Sequence, residues 1–263
     1  MKILFFSDTH AGLMISGYDT RDILKKALEE ILDEIEIWQP DLVIHGGDVF
    51  HTNNPKPRDY ALMMEFFSAF DTPTIVLRGN HDENNGLQVD AIEPIRKTKF
   101  VGFIKDQIAN EILSFDVDDE PLMISTDRVF CPEVPVCVSF DDKRFLLLPY
   151  IAEARAKKLT GHSAQKLVND LIKEHVGMNV DAAFGHLDVK GVLEGSEASV
   201  ARGATLLLPR GLIGSCGFPC FNGHIHKRQV LKVKRTVVSF PGSVIRTDFS
   251  EIDADKGFLK VEV

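Results

Sequence analysis

At 263 residues, 44% apolar and 26% charged, the chain has the size and composition of a soluble globular protein of one large or two small α/β domains, and is not a disordered segment. A net charge of -9 excludes adhesion to nucleic acid over the whole surface, though not along a local basic track. No apolar run is long enough to span a membrane, and Ile3 to Phe6 is too short for a signal-peptide core, so a cytoplasmic protein is expected. Cys131, Cys137, Cys216 and Cys220 match neither a zinc nor a disulfide spacing and read as buried free thiols.

Lys2 to Phe6 reads as a strand running into Asp8-Thr9-His10. Asp19 or Thr20 caps a helix through Gln39, with Ile23, Leu24, Ala27, Leu28, Ile31, Leu32 and Ile35 on its apolar face, and Pro40 ends it. A strand from Leu42 then reaches Asp48 through Gly46-Gly47, and 49–57 is a polar loop of the kind that carries binding residues. The next helix, Arg58 to Phe70, has more apolar surface (Ala61, Leu62, Met64, Phe66, Phe67, Phe70) than one sheet face needs, which suggests a contact with a second copy of the chain. Thr74 to Leu77 delivers Gly79-Asn80-His81-Asp82, and Leu87 to Lys97 reads as a third helix. Strands and helices alternating in this way imply parallel neighbours, whose ligands lie beyond the carboxyl ends of the strands.

The acidic stretch 110–126 gives no clear element. Val134 to Phe140 and Arg144 to Tyr150 read as a hairpin about Asp141-Asp142, and Ser163 to His175 is helical. A strand to Phe184 presents Gly185-His186, 188–202 reads as a loop over the site, and Phe218 to Asn222 leads into Gly223-His224-Ile225-His226. The last strands, Val230 to Val233, Thr236 to Phe240 and Phe258 to Val263, suggest a second sheet packed on the first. With no linker or repeat, residues 1–263 are expected to form one domain.

The same device thus recurs: a short apolar run stops, in all but the first case at a glycine, and a metal-competent residue follows. Asp8, His10, Asp48, Asn80, His186, His224 and His226 are more ligands than one catalytic zinc takes. Two divalent ions sharing a carboxylate fit better, and the mix of imidazole with oxygen donors suits Mn²⁺, Fe²⁺ or Zn²⁺. Such a pair lowers the pKa of a shared water from 15.7 toward about 7 and clamps phosphoryl oxygens during in-line displacement. His81, next to Asn80, is placed to protonate a leaving oxygen or hold a phosphate, with Asp82 to orient it.

Asp8-x-His10, Gly47-Asp48, Gly79-Asn80-His81-Asp82, Gly185-His186 and Gly223-His224-x-His226, in that order, resemble the full motif series of calcineurin-like metallophosphoesterases. The resemblance implies an α/β sandwich of two mixed sheets flanked by helices. It implies one metal held by Asp8, His10, Asp48 and His226, and the other by Asp48, Asn80, His186 and His224. Within that superfamily, Gly46 to Pro55 and the segment Pro241 to Glu251 followed by Lys256-Gly257-Phe258 are similar to SbcD-type recombination and repair nucleases. That likeness implies a nuclease domain without the usual C-terminal cap, with Mn²⁺ as metal and His51 positioning DNA for exonuclease work. It also implies a homodimer through the second and third helices and an SMC-like coiled-coil ATPase partner of the SbcC type. The expected activity is a 3'-5' exonuclease and single-strand endonuclease using metal-activated hydroxide. The alternatives are a metallophosphoesterase for a small nucleotide or phosphoprotein, or a non-catalytic scaffold of the same fold, against which the full ligand set argues. His45, His162 and His175 read as ordinary histidines, while Lys56, Arg58, Lys190 and Arg202 lie in segments that can meet phosphates.

Overall fold

The computed structural model describes residues 1–83, 90–98, 122–123, 129–193 and 206–263. Strand β1 (Lys2–Phe6) is followed by a two-stranded ribbon, β2 (Met14–Ile15) and β3 (Tyr18–Asp19), then α1 (Arg21–Trp38), β4 (Leu42–His45), α2 (Pro57–Ser68), β5 (Thr74–Val76) and α3 (Glu93–Thr98). The chain continues through β6 (Leu122–Met123), β7 (Val129–Phe130), β8 (Val136–Phe140) and β9 (Lys143–Leu148) to helices α4 (Glu153–Thr160) and α5 (Ala164–Glu174). β10 (Ala182–Gly185), α6 (Arg210–Cys216), β11 (Cys220–Asn222), β12 (Gln229–Val233), β13 (Thr236–Phe240), a 3-10 turn at Phe249–Glu251 and β14 (Leu259–Glu262) complete it.

Two mixed sheets result, ordered β14-β1-β4-β5-β7 and β12-β13-β11-β10-β9-β8-β6. Side chains alternate across β1, and this alternation builds the layers. Ile3 and Phe5 face inward onto Phe140, Phe145, Leu147 and Phe184 of the other sheet. Leu4 and Phe6 face outward onto Leu24, Leu28 and Ile31 of α1 and Met63, Phe66 and Phe67 of α2. On the far side, Leu146, Leu148 and Ala183 pack against Leu167, Val168 and Leu171 of α5. The expected sandwich of two mixed sheets between helices is therefore the architecture found.

Several expectations need correcting. The last strand does not join the second sheet: β14 lies antiparallel to β1, with Ile3 opposite Val261, at the edge of the first. Ile23 is 49% exposed, because it falls just off the stripe set by Leu24, Leu28, Ile31 and Ile35. Thr20 occupies the N-cap of α1, yet its hydroxyl donates to the Leu13 carbonyl rather than capping the helix. The third helix begins at Glu93, and 87–89 of its expected span lie outside the described residues, as do most of 110–126 and 194–202 of the expected site loop. Cys131 and Cys220 are buried free thiols as expected, whereas Cys137 and Cys216 are half-buried. Leu62 and Met64 of α2, and Phe70 just past it, are partly buried against the same core as Phe66 and Phe67, so much of the apolar surface of this segment is covered within the chain. No helix of the described residues is long and apolar enough to cross a membrane.

An ionic brace fixes the end of β5. Arg78 is 1% exposed, pairs with Asp90 at 2.9 Å and donates to the Glu133 carbonyl at 3.2 Å. Glu83 accepts from Arg155 at 3.0 Å and from the Ala152 N–H at 2.7 Å, tying the segment after Asn80 to the start of α4. Removing one partner from such a buried pair costs several kcal/mol, so the motif after β5 is held rigidly.

Candidate metal centre

The parallel register sets Phe6 opposite His45 and His45 opposite Val76 in one sheet, and Gly185 opposite Asn222 in the other. The carboxyl ends of β1, β4, β5, β10 and β11 thereby meet along one edge of the sandwich. Asp8, His10, Asp48 and His224 all adopt left-handed backbone conformations there, with φ between 44° and 74°. Asp and His tolerate that region better than most residues, but each still stores about 1–3 kcal/mol, and such strain concentrates at functional sites. Hydrogen bonds hold it in place: Asp8 N–H to the Gly47 carbonyl (2.9 Å), His10 N–H to the Asp48 carbonyl (3.1 Å) and His224 N–H to Asp8 Oδ2 (3.1 Å). The last of these stitches the two sheets together.

Two glycines are required by close approach. A Cβ on Gly79 would overlap the carboxylate and main-chain nitrogen of Asp48. Gly47 combines a φ of +102° with a site where a Cβ would stand 2.5 Å from His186 Nδ1. At these two positions the glycine before a ligand candidate is thus the space in which another candidate's side chain sits.

The seven ligand candidates converge. His10 Nε2 and His226 Nε2 approach to 3.0 Å, and they lie 4.0 Å and 3.8 Å from Asp8 Oδ1. His186 Nε2 and His224 Nδ1 lie 3.2 Å and 3.1 Å from Asn80 Oδ1. Asp48 Oδ2 stands between the groups, 3.7 Å from His10 Nε2 and 3.5 Å from His186 Nε2. His186 donates from Nδ1 to the Gly46 carbonyl at 2.7 Å, a contact that aims its Nε2 into the site.

Burial pushes the Asp8 carboxyl above its ordinary range, against the pull of His186 and His226. Burial acts the same way on Asp48, but His186, His81 and His10 outweigh it and hold that carboxyl well below its ordinary range. Burial also drives His10 far down and His224 to about 3, so both rings are neutral at neutral pH and keep a lone pair for ligation. At His186 burial is overcome by Asp48 and Asp8, which bring it up to about 9; a metal held at its Nε2 would displace that proton.

His81 also lies at the centre. Its main-chain N–H donates to Asp48 Oδ1 at 2.9 Å, and its Nδ1 donates to the His51 carbonyl at 2.7 Å. His51 stacks on it with ring centroids 5.4 Å apart, and the ligand atoms of His10, His51 and His81 come within 4.8 Å of one another. Asp82 does not orient His81. It is fully buried and accepts from the N–H groups of Val49 (3.2 Å), Phe50 (3.0 Å) and Gly79 (2.9 Å), clamping the turns after β4 and β5 together. Burial, reinforced by Asp48, raises its carboxyl to about 7.

Of the remaining histidines, His45 proves to be part of the site's support. It is buried, accepts from the Gly47 N–H at 3.1 Å and lies 3.1 Å from the Thr9 hydroxyl, bracing the turn that carries Asp48. Its position at the last residue of β4 was the only available signal. His162 is exposed, and His175 donates to the Leu171 carbonyl at a helix end. Of the basic residues, Arg58 makes surface ion pairs with Asp19 and Asp59, Lys56 and Lys190 are exposed, and Arg202 lies outside the described residues.

A profile described as "Calcineurin-like phosphoesterase" matches residues 1–228. The chain belongs to that family. Among curated relatives it is 21% identical to the SbcD component of the nuclease SbcCD of Staphylococcus epidermidis and 24% identical to that of Bacillus subtilis, in each case over 100% of this chain and 66% of the relative. The chain thus spans just under two thirds of the length of these relatives. A dimetal phosphatase from Danio rerio superposes with a TM-score of 0.54 at 11% identity, covering 93% of this chain and 88% of the other, a likeness of fold.

The calcineurin-like fold implies divalent metal ions, and the residues present fit them. Asp8 Oδ1 and His10 Nδ1 are buried without a hydrogen-bond partner. Among the described residues, the buried carboxylates of Asp8 and Asp48 have histidines but no lysine or arginine as ion-pair partners. Burying two carboxylates costs several kcal/mol each unless positive charge compensates them, and bound cations supply it.

Proposed function

We propose that this chain is a metal-dependent DNA nuclease whose two divalent ions, Mn²⁺ by preference, are held by Asp8, His10, Asp48 and His226 on one side and by Asp48, Asn80, His186 and His224 on the other. The observation that carries the reading is the place of Asp48 Oδ2, within 3.7 Å of a nitrogen from each group. When bound, such a pair supplies Lewis acidity that activates water and draws charge from the phosphoryl oxygens. The chain's own residues supply the rest. Asp48 unites the two groups and fixes the main chain of His81. The His51 carbonyl holds the His81 Nδ1 proton, so that in the imidazolium form it is the Nε2–H that holds the phosphate or passes to the leaving oxygen, leaving the ring neutral. His51 stacks on His81, and this neighbourhood, with the likeness to the SbcD relatives, supports a role for His51 in positioning DNA for exonuclease work.

DNA as substrate rests on the likeness to the SbcD relatives. End-labelled single- and double-stranded DNA should be cut with Mn²⁺ and left intact with EDTA. Hydrolysis of bis(p-nitrophenyl) phosphate without any cutting of DNA would replace DNA by a small phosphodiester. The same likeness supports a coiled-coil ATPase partner and a homodimer through α2 and α3. Sedimentation equilibrium tests the dimer, and a monomer at every concentration removes it.

A further inference from the structure

The segment behind His226 has no part in the chemistry above, yet it is built around that ring. Glu251 is 5% exposed, on the short turn Phe249–Glu251. One of its oxygens, Oε2, accepts from the Thr247 N–H at 2.8 Å and from Lys256 Nζ at 2.7 Å, which marks an ionised carboxylate. The other, Oε1, accepts from the Thr247 hydroxyl at 3.0 Å. Lys256 also donates to Ser243 Oγ at 2.7 Å and to the main-chain carbonyl of His226 at 3.0 Å. The Thr247 hydroxyl lies 2.8 Å from His226 Nδ1.

A hydroxyl has one proton to give. Thr247 gives it to the carboxylate, so toward the ring it accepts, and His226 Nδ1 carries the hydrogen. The relay from Lys256 through Glu251 and Thr247 therefore fixes the tautomer in which His226 Nε2 presents its lone pair toward His10 and Asp8. His186 and His81 are oriented by main-chain carbonyls, which no substitution removes. His226 is oriented by side chains.

We propose that Thr247 and Glu251 are positioning residues that set the orientation and tautomer of His226 and so tune the affinity of one of the two metal positions selectively. The inference rests on the reading above, in which His226 is a ligand. Loss of an outer partner of a ligating histidine weakens metal binding by about 10- to 100-fold.

The test is calorimetric titration of the metal-free full chain with Mn²⁺. Thr247→Val keeps the volume and removes the hydroxyl. One of two ions should bind about 10- to 100-fold more weakly, with the other unchanged and the metal-free melting temperature preserved. Thr247→Ser should restore both. Glu251→Gln, which withdraws the charge while keeping the shape, should give the same selective loss and serves as an independent variant. Wild-type affinity at both positions in Thr247→Val and Glu251→Gln, or equal weakening of both positions, overturns the relay while leaving the dinuclear reading in place. Fewer than two ions on the wild-type chain overturns the dinuclear reading, and the relay with it.

Discussion

Asp48→Asn is expected to lower phosphodiester cleavage by about 10³-fold and to reduce the number of Mn²⁺ ions bound, with the fold intact. The two groups of donors meet through this carboxylate: Oδ2 faces His10 and His186, while Oδ1 accepts the His81 N–H. The amide of asparagine has the same shape and can still accept that N–H through its oxygen. Its second atom is then an NH₂ group, which neither carries charge nor ligates a cation. Losing the shared ligand forfeits several kcal/mol of transition-state stabilisation, and at 1.36 kcal/mol per tenfold that is about 10³. The fold should survive, because the amide keeps the shape of the carboxylate and can still accept the His81 N–H, and the apolar clusters that hold the sandwich together do not include Asp48. Calorimetric stoichiometry beside a cleavage assay reads both effects. A variant that cuts within about tenfold of wild type, with two ions bound, would show that Asp48 is not the shared ligand.

The ligand candidates were legible in the sequence because each follows a short apolar run, and the parallel strand order turns that repetition into proximity. The glycines were legible as markers, though not for their reason: at Gly79 and Gly47 it is the neighbouring strand's ligand that needs the space. What stayed hidden depends on contacts remote in sequence. Asp82 looks from its position like a partner of His81, but the turn after β4 supplies two N–H groups that claim its carboxylate. His45 has no motif around it, and its role appears only once Thr9, from the turn after β1, is beside it. Arg78 interrupts an apolar run, and its burial makes sense only with Asp90 in place.

The misplaced strand has a similar cause. Leu259 and Val261 alternate as an edge strand should, and alternation identifies a strand without saying which sheet it joins. Its pairing with β1 has a consequence for the site, since it sets residues 259–262 against the strand that delivers Asp8 and His10. The nearby segment with Glu251 and Lys256 then folds back behind His226, completing the support of the donors from outside.

His81→Ala is the variant that separates proton transfer from metal binding. The ring is held at two points on its near side, Nδ1 by the His51 carbonyl and the main chain by Asp48. A carbonyl only accepts, so Nδ1 keeps its hydrogen and any proton exchanged with substrate passes through Nε2. General acid catalysis by a positioned side chain contributes about 10²–10⁴-fold, and truncation should cost that much in kcat while two Mn²⁺ ions remain bound. The closeness of His10, His51 and His81 allows a competing arrangement in which His81 is itself a ligand. The metal count decides between them: a fall in stoichiometry on His81→Ala assigns the ring to the metal shell. A substrate with a leaving group too good to need protonation gives a second reading. On such a diester an acid role predicts that most of the lost rate returns, because the bond to the leaving oxygen then breaks without the proton His81 provides, whereas a missing ligand or a lost phosphate contact slows good and poor leaving groups alike.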